Sequence, residues 1–129
     1  ASTGNSLDFG DQLGNIGAYA QASGSNSTRG IFAGGLWDPL EIQIQYITIA
    51  STGNALDFGD LTVARGYLQG ASGTTKMTMA GGFTSVFSTY TNTIDTITIA
   101  STGNATDFGD LSVNQKAYAG TSNSHGGLS

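Results

Sequence analysis

The feature that most constrains the fold is a phrase that returns at a nearly constant interval. Its fullest form is Ser-Thr-Gly-Asn-Ala-x-Asp-Phe-Gly-Asp-Leu, and it occurs at residues 51–61 and 101–111, with a close variant at residues 2–11. Asp8, Asp57 and Asp107 mark the three copies, which are 49 and 50 residues apart. Self-similarity at a fixed period of this length is the signature of a repeat architecture. We therefore expect one structural unit to be built several times.

Composition indicates that these units are made of strands. The chain has 129 residues, which suits one small domain, and only 10% of them are charged. Glycine contributes 20 residues, and the short β-branched runs are separated by Gly, Asn and Ser. Turn-forming residues between short apolar runs are typical of an all-β protein.

Charge excludes two classes of partner. The formal net charge is −5, and the only cationic residues are Arg29, Arg65, Lys76 and Lys116. A nucleic-acid backbone requires a basic surface, so we expect no nucleic-acid partner. An anionic membrane surface would repel the chain, and no apolar run is long enough for membrane insertion. Cysteine is absent, which rules out disulfides and thiolate ligands.

The period divides the chain into two whole units, at residues 14–62 and 63–112, flanked by partial units at residues 1–13 and 113–129. Each whole unit is predicted to contain four strands. In the second unit these are an inner strand at 67–72, alternating strands at 76–80 and 94–99, and a short outer strand at 106–111. The first unit follows the same plan, with its inner strand at 18–23. The segments 36–42 and 83–93 are predicted to be long loops.

The partial units raise the question of how strand edges are protected, because unpaired edges promote aggregation. Three blade-equivalents fall short of the four that a closed propeller usually needs. We therefore expect closure by oligomerisation of the chain with itself, or a place within a larger propeller.

The unit resembles a kelch repeat, which has an apolar strand ending in a glycine doublet, a variable loop, and an Asn-x-hydrophobic-Asp segment. Here these are Met79-Ala80-Gly81-Gly82-Phe83 and Asn92-Thr93-Ile94-Asp95, while Phe108 takes the closing position that is Trp in kelch repeats. The resemblance implies kelch-like β-propeller blades of about 50 residues. The residues that would form the repeat frame are Gly34, Gly35, Gly81, Gly82, Phe9, Phe58 and Phe108.

The recurring phrase also looks like the kelch-like repeats of bacteriophage proteins, which are associated with virion surfaces and tail fibres. This resemblance implies a structural or host-attachment role on a virion or in another extracellular setting. The partners it implies are further copies of the chain, other virion proteins, or surface glycans.

The paired carboxylates of each Asp-Phe-Gly-Asp segment have two interpretations. They offer oxygen ligands of the kind that Ca²⁺ prefers, but no denser acidic cluster accompanies them. The favoured interpretation is a turn, in which the first Asp bonds local backbone and Gly permits the bend. Asp-Phe-Gly also occurs in protein kinases, but the other kinase motifs are missing.

We find no pattern that predicts catalysis or a cofactor. The glycine doublets do not lead into a helix, so they do not indicate a phosphate-binding loop. His125 is the only histidine and has no evident acid or nucleophile partner. An oxidase of the kelch-containing kind is disfavoured, because a single His and no Cys do not supply a copper ligand set. The chain is therefore predicted not to be an enzyme.

The two segments that follow the glycine doublets are the best candidates for ligand or partner contacts. Trp37 and Asp38 lie in one, and Phe87 and Tyr90 lie in the other. Aromatic side chains beside polar groups can stack on sugars or anchor protein interfaces. The alternative to the structural role is therefore a lectin-like propeller, although packing between blades would also account for these aromatics.

Overall fold

The computed structural model describes residues 4–14, 19–36, 39–85, 89–116 and 120, and these residues form ten strands and no helix. The strands of the first whole repeat are β1 (Ala22–Ser25), β2 (Arg29–Gly35), β3 (Glu41–Thr48) and β4 (Leu56–Asp60). Those of the second are β5 (Gln69–Ser72), β6 (Lys76–Ala80), β7 (Phe83–Ser85), β8 (Thr89–Tyr90), β9 (Thr93–Thr98) and β10 (Thr106–Asp110).

Each whole repeat forms one four-stranded antiparallel sheet. The first sheet has the order β1-β2-β3-β4, and the second has the order β10-β9-β6-β5, so the chain meanders through each sheet in sequence. A third, two-stranded sheet joins β7 to β8. The prediction of an all-β protein is confirmed; each repeat contains a four-stranded sheet, and the second repeat also contains β7 and β8. Within the described residues, none of these sheets is closed.

The inner strands begin later than the sequence predicts. Ala20 and Tyr67 occupy equivalent places before β1 and β5, and both have positive φ, at 60° and 54°. An L-residue in this left-handed region cannot continue an extended strand. The strands therefore begin only at Ala22 and Gln69, although the predicted ranges began at residues 18 and 67.

The predicted loop at 83–93 contains regular structure. Phe83 and Gly66 exchange backbone hydrogen bonds of 2.8 and 3.1 Å, and Phe83 also begins the β7–β8 hairpin. The Phe83 side chain is buried. Burial of this ring holds the segment against the body of the protein, which a polar loop would not require.

The hydrophobic core is shared by the two sheets. The first sheet contributes Ala22, Ile31, Ala33, Ile44 and Phe58, and the second contributes Met77, Met79 and Ile97; Leu61, Leu68, Ile99 and Ala105 join from the connecting segments. Residues two apart on β2 and on β6 enter the core together, as the period of a strand requires. The two repeats are thus packed through one core and not merely tethered.

The glycine doublets lie at a close approach between repeats. Gly35 N–H donates to the Arg65 carbonyl, and Gly82 N–H donates to the Gln115 carbonyl, both at 3.0 Å. Gly34 has φ of 63°, and a Cβ there would lie 2.5 Å from the Arg65 carbonyl oxygen. Glycine is required at this position because the backbone is left-handed and the neighbouring repeat leaves no room.

Candidate assembly surface and aromatic cluster

The outer strand of each repeat carries a β-bulge at its phenylalanine. In β4, Asp57 pairs with Gln45 and Gly59 pairs with Ile44, so Phe58 is an extra residue between them. Phe108 has the same place in β10. A bulge bends its strand and redirects a side chain. The Phe58 ring joins the core between the two sheets and is only 3% exposed.

The first Asp-Phe-Gly-Asp segment binds the turn that precedes β4. Gly53 N–H donates to the Phe9 carbonyl at 2.8 Å, and Ala55 N–H donates to the Asp11 carbonyl at 2.8 Å. In return, Asp11 N–H donates to Asn54 Oδ1 at 3.0 Å. We call this set of three hydrogen bonds, between an Asp-Phe-Gly-Asp segment and the Gly-Asn-Ala turn of the next repeat, the docking contact.

The second segment makes the same docking contact with the following turn. Gly103 N–H donates to the Phe58 carbonyl at 2.7 Å, and Ala105 N–H donates to the Asp60 carbonyl at 2.8 Å. Asp60 N–H donates to Asn104 Oδ1 at 3.0 Å. Two interfaces that are separate in the chain are therefore built from the same atoms in the same geometry.

The glycine within the segment makes this close approach possible. A Cβ on Gly10 would lie 2.3 Å from the Gly53 carbonyl oxygen, and a Cβ on Gly59 would lie 2.5 Å from that of Gly103. Gly109 has an almost identical φ of 142°, yet nothing lies within 4 Å of its position for a Cβ. The third segment is thus shaped like the other two, but none of the described residues covers it.

The exposed fractions of Phe58 and Phe108 show the same difference between the second and third segments. Phe58, which packs into the core between the two sheets, is 3% exposed, whereas Phe108 is 63% exposed. Because both rings stand at equivalent bulges in equivalent sheets, the difference arises from the presence or absence of a neighbouring unit.

The carboxylates of this motif make local hydrogen bonds. Asp8 Oδ1 accepts from Gly10 N–H at 3.1 Å, and Asp107 Oδ1 accepts from Gly109 N–H at 2.9 Å. This is the turn geometry that the favoured interpretation predicts. Among the described residues, no group of three or more His, Cys, Asp or Glu side chains is arranged to hold a metal ion.

A buried ion pair lies within the second repeat, where Thr62 of the first repeat contacts it. Arg65 Nη1 is 3.2 Å from Asp95 Oδ2, and both side chains have 0% exposure. Arg65 Nη2 donates to the Met79 carbonyl at 3.0 Å, while Thr62 donates to both oxygens of Asp95, from N–H at 3.0 Å and from Oγ1 at 2.6 Å. Nε and Nη1 of Arg65 have no hydrogen bond of acceptable geometry. Burial lowers the pKa of the Arg65 guanidinium, and the Asp95 carboxylate opposes that shift.

The equivalent position in the first repeat uses neutral groups. Gln45 stands on β3 where Asp95 stands on β9, and it too is buried. Its Oε1 accepts from Leu13 N–H at 2.8 Å, and its Nε2 donates to the Leu13 carbonyl at 3.3 Å. A single amide satisfies the backbone there without any charge.

An aromatic cluster lies beside the β7–β8 hairpin. Tyr67 contacts Tyr19 and Phe83 edge to face, with ring centroids 6.5 and 5.4 Å apart, and Phe83 lies 4.6 Å from Tyr90. Lys116 Nζ lies 4.9 Å from the Phe83 centroid and 5.6 and 5.9 Å from those of Tyr67 and Tyr90. The three tyrosines are partly exposed, so their ring faces and edges reach the surface beside a cation.

Only part of the predicted contact set can be located. Tyr90 lies in the aromatic cluster, whereas Trp37, Asp38, Phe87 and His125 lie outside the described residues. Sequence reasoning missed Tyr19, Tyr67 and Lys116. The sequence did offer a signal for the two tyrosines, because a tyrosine stands shortly before the inner strand in both whole repeats.

Comparison with protein-family models and with curated proteins gives no match for this sequence. A search of the described residues for a helix with the length and apolarity needed to cross a bilayer finds none.

Proposed function

We propose that this protein is a structural or attachment module of a virion or another extracellular assembly, and that it acts through protein–protein contacts. The observation that carries the proposal is the docking contact, which is made twice, by equivalent residues of successive repeats. The repeated residues supply backbone groups, an amide and a phenyl ring, none of which performs chemistry by itself. The phrase is therefore used to join units.

The close approach of successive inner strands supports a kelch-like propeller as the architecture. A Cβ on Gly70 in β5 would lie 2.5 Å from the Ser23 carbonyl oxygen in β1, and one on Gly120 would lie 2.4 Å from that of Gly70. Inner strands in near backbone contact, together with outer strands that meet through turns, suit units arranged around an axis.

Solution mass and electron microscopy test this function. We expect light scattering to show concentration-dependent association of the 129-residue chain, and negative-stain images to show a ring or a regular stack. A chain that remains a monomer at every concentration and binds no other protein of its assembly would contradict the proposal.

A carbohydrate-binding function is the second candidate, and the aromatic cluster favours it. Tyr19, Tyr67 and Tyr90 are partly exposed, and aromatic faces stack on sugar rings.

Glycan-array binding tests this second candidate. Tyr90→Ala should abolish any signal, while Leu56→Ala is the control because it removes an exposed apolar side chain from β4, outside both the aromatic cluster and the docking contact. Binding that survives Tyr90→Ala, or that disappears equally in both variants, would place the site elsewhere.

A further inference from the structure

We infer that the uncovered Asp107–Asp110 segment of β10 binds the Gly4–Ser6 turn of a second copy of this chain, forming a third docking contact between molecules. The inference rests on the proposed function in assembly and names both surfaces and the partner. It follows from the presence of both halves of the docking contact, unoccupied, on one molecule.

The receiving half is the segment around Phe108. In the two occupied contacts, the Phe carbonyl and the N–H and carbonyl of the second Asp bond the next turn. In the third segment, no described residue outside its own sheet bonds these groups of Phe108 and Asp110. The Asx turn at Gly109 holds the backbone as in the first segment, so the receiving groups are already in place.

The inserting half is the turn at residues 4–6. Gly4, Asn5 and Ser6 stand where the turns at 53–55 and 103–105 have Gly, Asn and Ala. All three are exposed, and nothing lies within 4 Å of a Cβ built on Gly4. Ser6 keeps the backbone N–H that makes the bond at this position, and its small side chain would be covered as those of Ala55 and Ala105 are.

The two halves on one molecule do not bind each other. Phe9 and Asp11 are bonded to Gly53 and Ala55 of the first sheet, which fixes the segment that follows the turn. In this structure Gly4 and Phe108 are both exposed, so the two halves do not meet within one chain. The resulting interface is head to tail, which generates a ring if the rotation closes and an extended stack if it does not.

Burial of Phe108 supplies most of the expected affinity. The ring is 63% exposed, whereas its covered equivalent Phe58 is 3% exposed. Covering it removes roughly 100 Å² of apolar surface from water, since an aromatic side chain buries about 150–250 Å² in full. At the usual coefficient for apolar burial, its loss in Phe108→Ser weakens association by about 50- to 100-fold.

Complementation of two blocked variants tests the inference. Phe108→Ser blocks the receiving half, and the double change Asn5→Leu with Ser6→Pro blocks the inserting half by removing the amide acceptor and the backbone donor. Each variant alone should sediment as a monomer where the wild type associates. An equimolar mixture should form 1:1 complexes, because each variant retains the half that the other lacks.

The controls separate the inference from the function on which it rests. Both blocked variants should keep the wild-type melting temperature, because the altered side chains are exposed. Assembly that persists in both variants would overturn the inference and leave the proposed function intact, since the copies would then meet through another surface. A wild-type chain that stays monomeric would overturn the inference outright.

Discussion

Replacing Asp95 by Asn is expected to destabilise the protein through a charge left without a partner. The change keeps the size of the side chain but removes the carboxylate 3.2 Å from Arg65 Nη1. Arg65 stays protonated, because a guanidinium does not lose its proton at accessible pH. It remains fully buried, and two of its nitrogens already lack a well-formed hydrogen bond.

The magnitude follows from what remains around the guanidinium. Breaking one partner of a buried ion pair costs about 3–5 kcal/mol. We expect the lower end, about 3 kcal/mol, because Arg65 keeps its hydrogen bond to the Met79 carbonyl and the amide oxygen of the substituted side chain can still accept from Thr62. For a chain of this size, that corresponds to a fall in melting temperature of about 10 °C.

The first repeat supplies the matched control. Gln45 fills the place of Asp95 with a neutral amide. The double substitution Asp95→Gln with Arg65→Ile copies that amide and replaces the cation by an apolar side chain. Removing both charges together is expected to leave the protein within about 1 kcal/mol of the wild type.

Urea unfolding followed by circular dichroism measures four proteins: the wild type, Asp95→Asn, Arg65→Ile, and the double substitution Asp95→Gln with Arg65→Ile. Equal slopes with different midpoints would identify changes of stability alone. The reasoning is refuted if Asp95→Asn loses less than about 1 kcal/mol, or if the double substitution is as unstable as that single change.

Three further predictions concern the docking contact and the backbone, and the first two each include a control substitution. Gly59→Ala should cost about 2 kcal/mol more in unfolding free energy than Gly109→Ala, because φ is the same but only Gly59 faces a carbonyl; equal losses would contradict the steric argument. Asn104→Leu should cost about 1 kcal/mol by removing the hydrogen bond that the Asp60 N–H donates, whereas Asn5→Leu should leave monomer stability unchanged; comparable melting temperatures would count against it. Ala20→Gly should raise stability by about 0.5 kcal/mol by relieving a left-handed φ, and a lower urea midpoint would show that chain entropy outweighs the relief.

The strands could be predicted because their determinants are local. Alternation marks β6 and β9, and Gly-Asn turns separate the outer strands from their neighbours. The bulge at Phe58 could not be predicted, because it depends on the register with β3 and not on its own residues. That bulge decides where the ring points, and hence which surface joins the repeats.

The buried ion pair could not be predicted either, because it also depends on contacts between residues that are distant in the sequence. Arg65 and Asp95 are 30 residues apart, and charged residues are mostly exposed, so neither position suggests burial. Aligning the repeats offers one clue, since Gln45 and Asp95 share a register and differ in charge. The structure explains this clue, because the Leu13 N–H donates to the Gln45 side chain in the same way that the Thr62 N–H donates to the Asp95 side chain.

The pattern of variation within the phrase agrees with a contact made largely by backbone. The position before the first Asp is Leu7, Leu56 or Thr106, and in each repeat this side chain is exposed, so its identity affects no neighbour. The position before that is Ala in two copies, where the N–H makes the bond and the side chain is buried, and Ser6 in the other, where the side chain is exposed. The residues that do not vary supply the amide acceptor, the left-handed or close-packed glycines and the ring that fills the bulge. Similar units can therefore join in series through the phrase, while the segments after the glycine doublets differ in sequence. The proposed attachment function requires this combination of a constant joining surface and a variable contact surface.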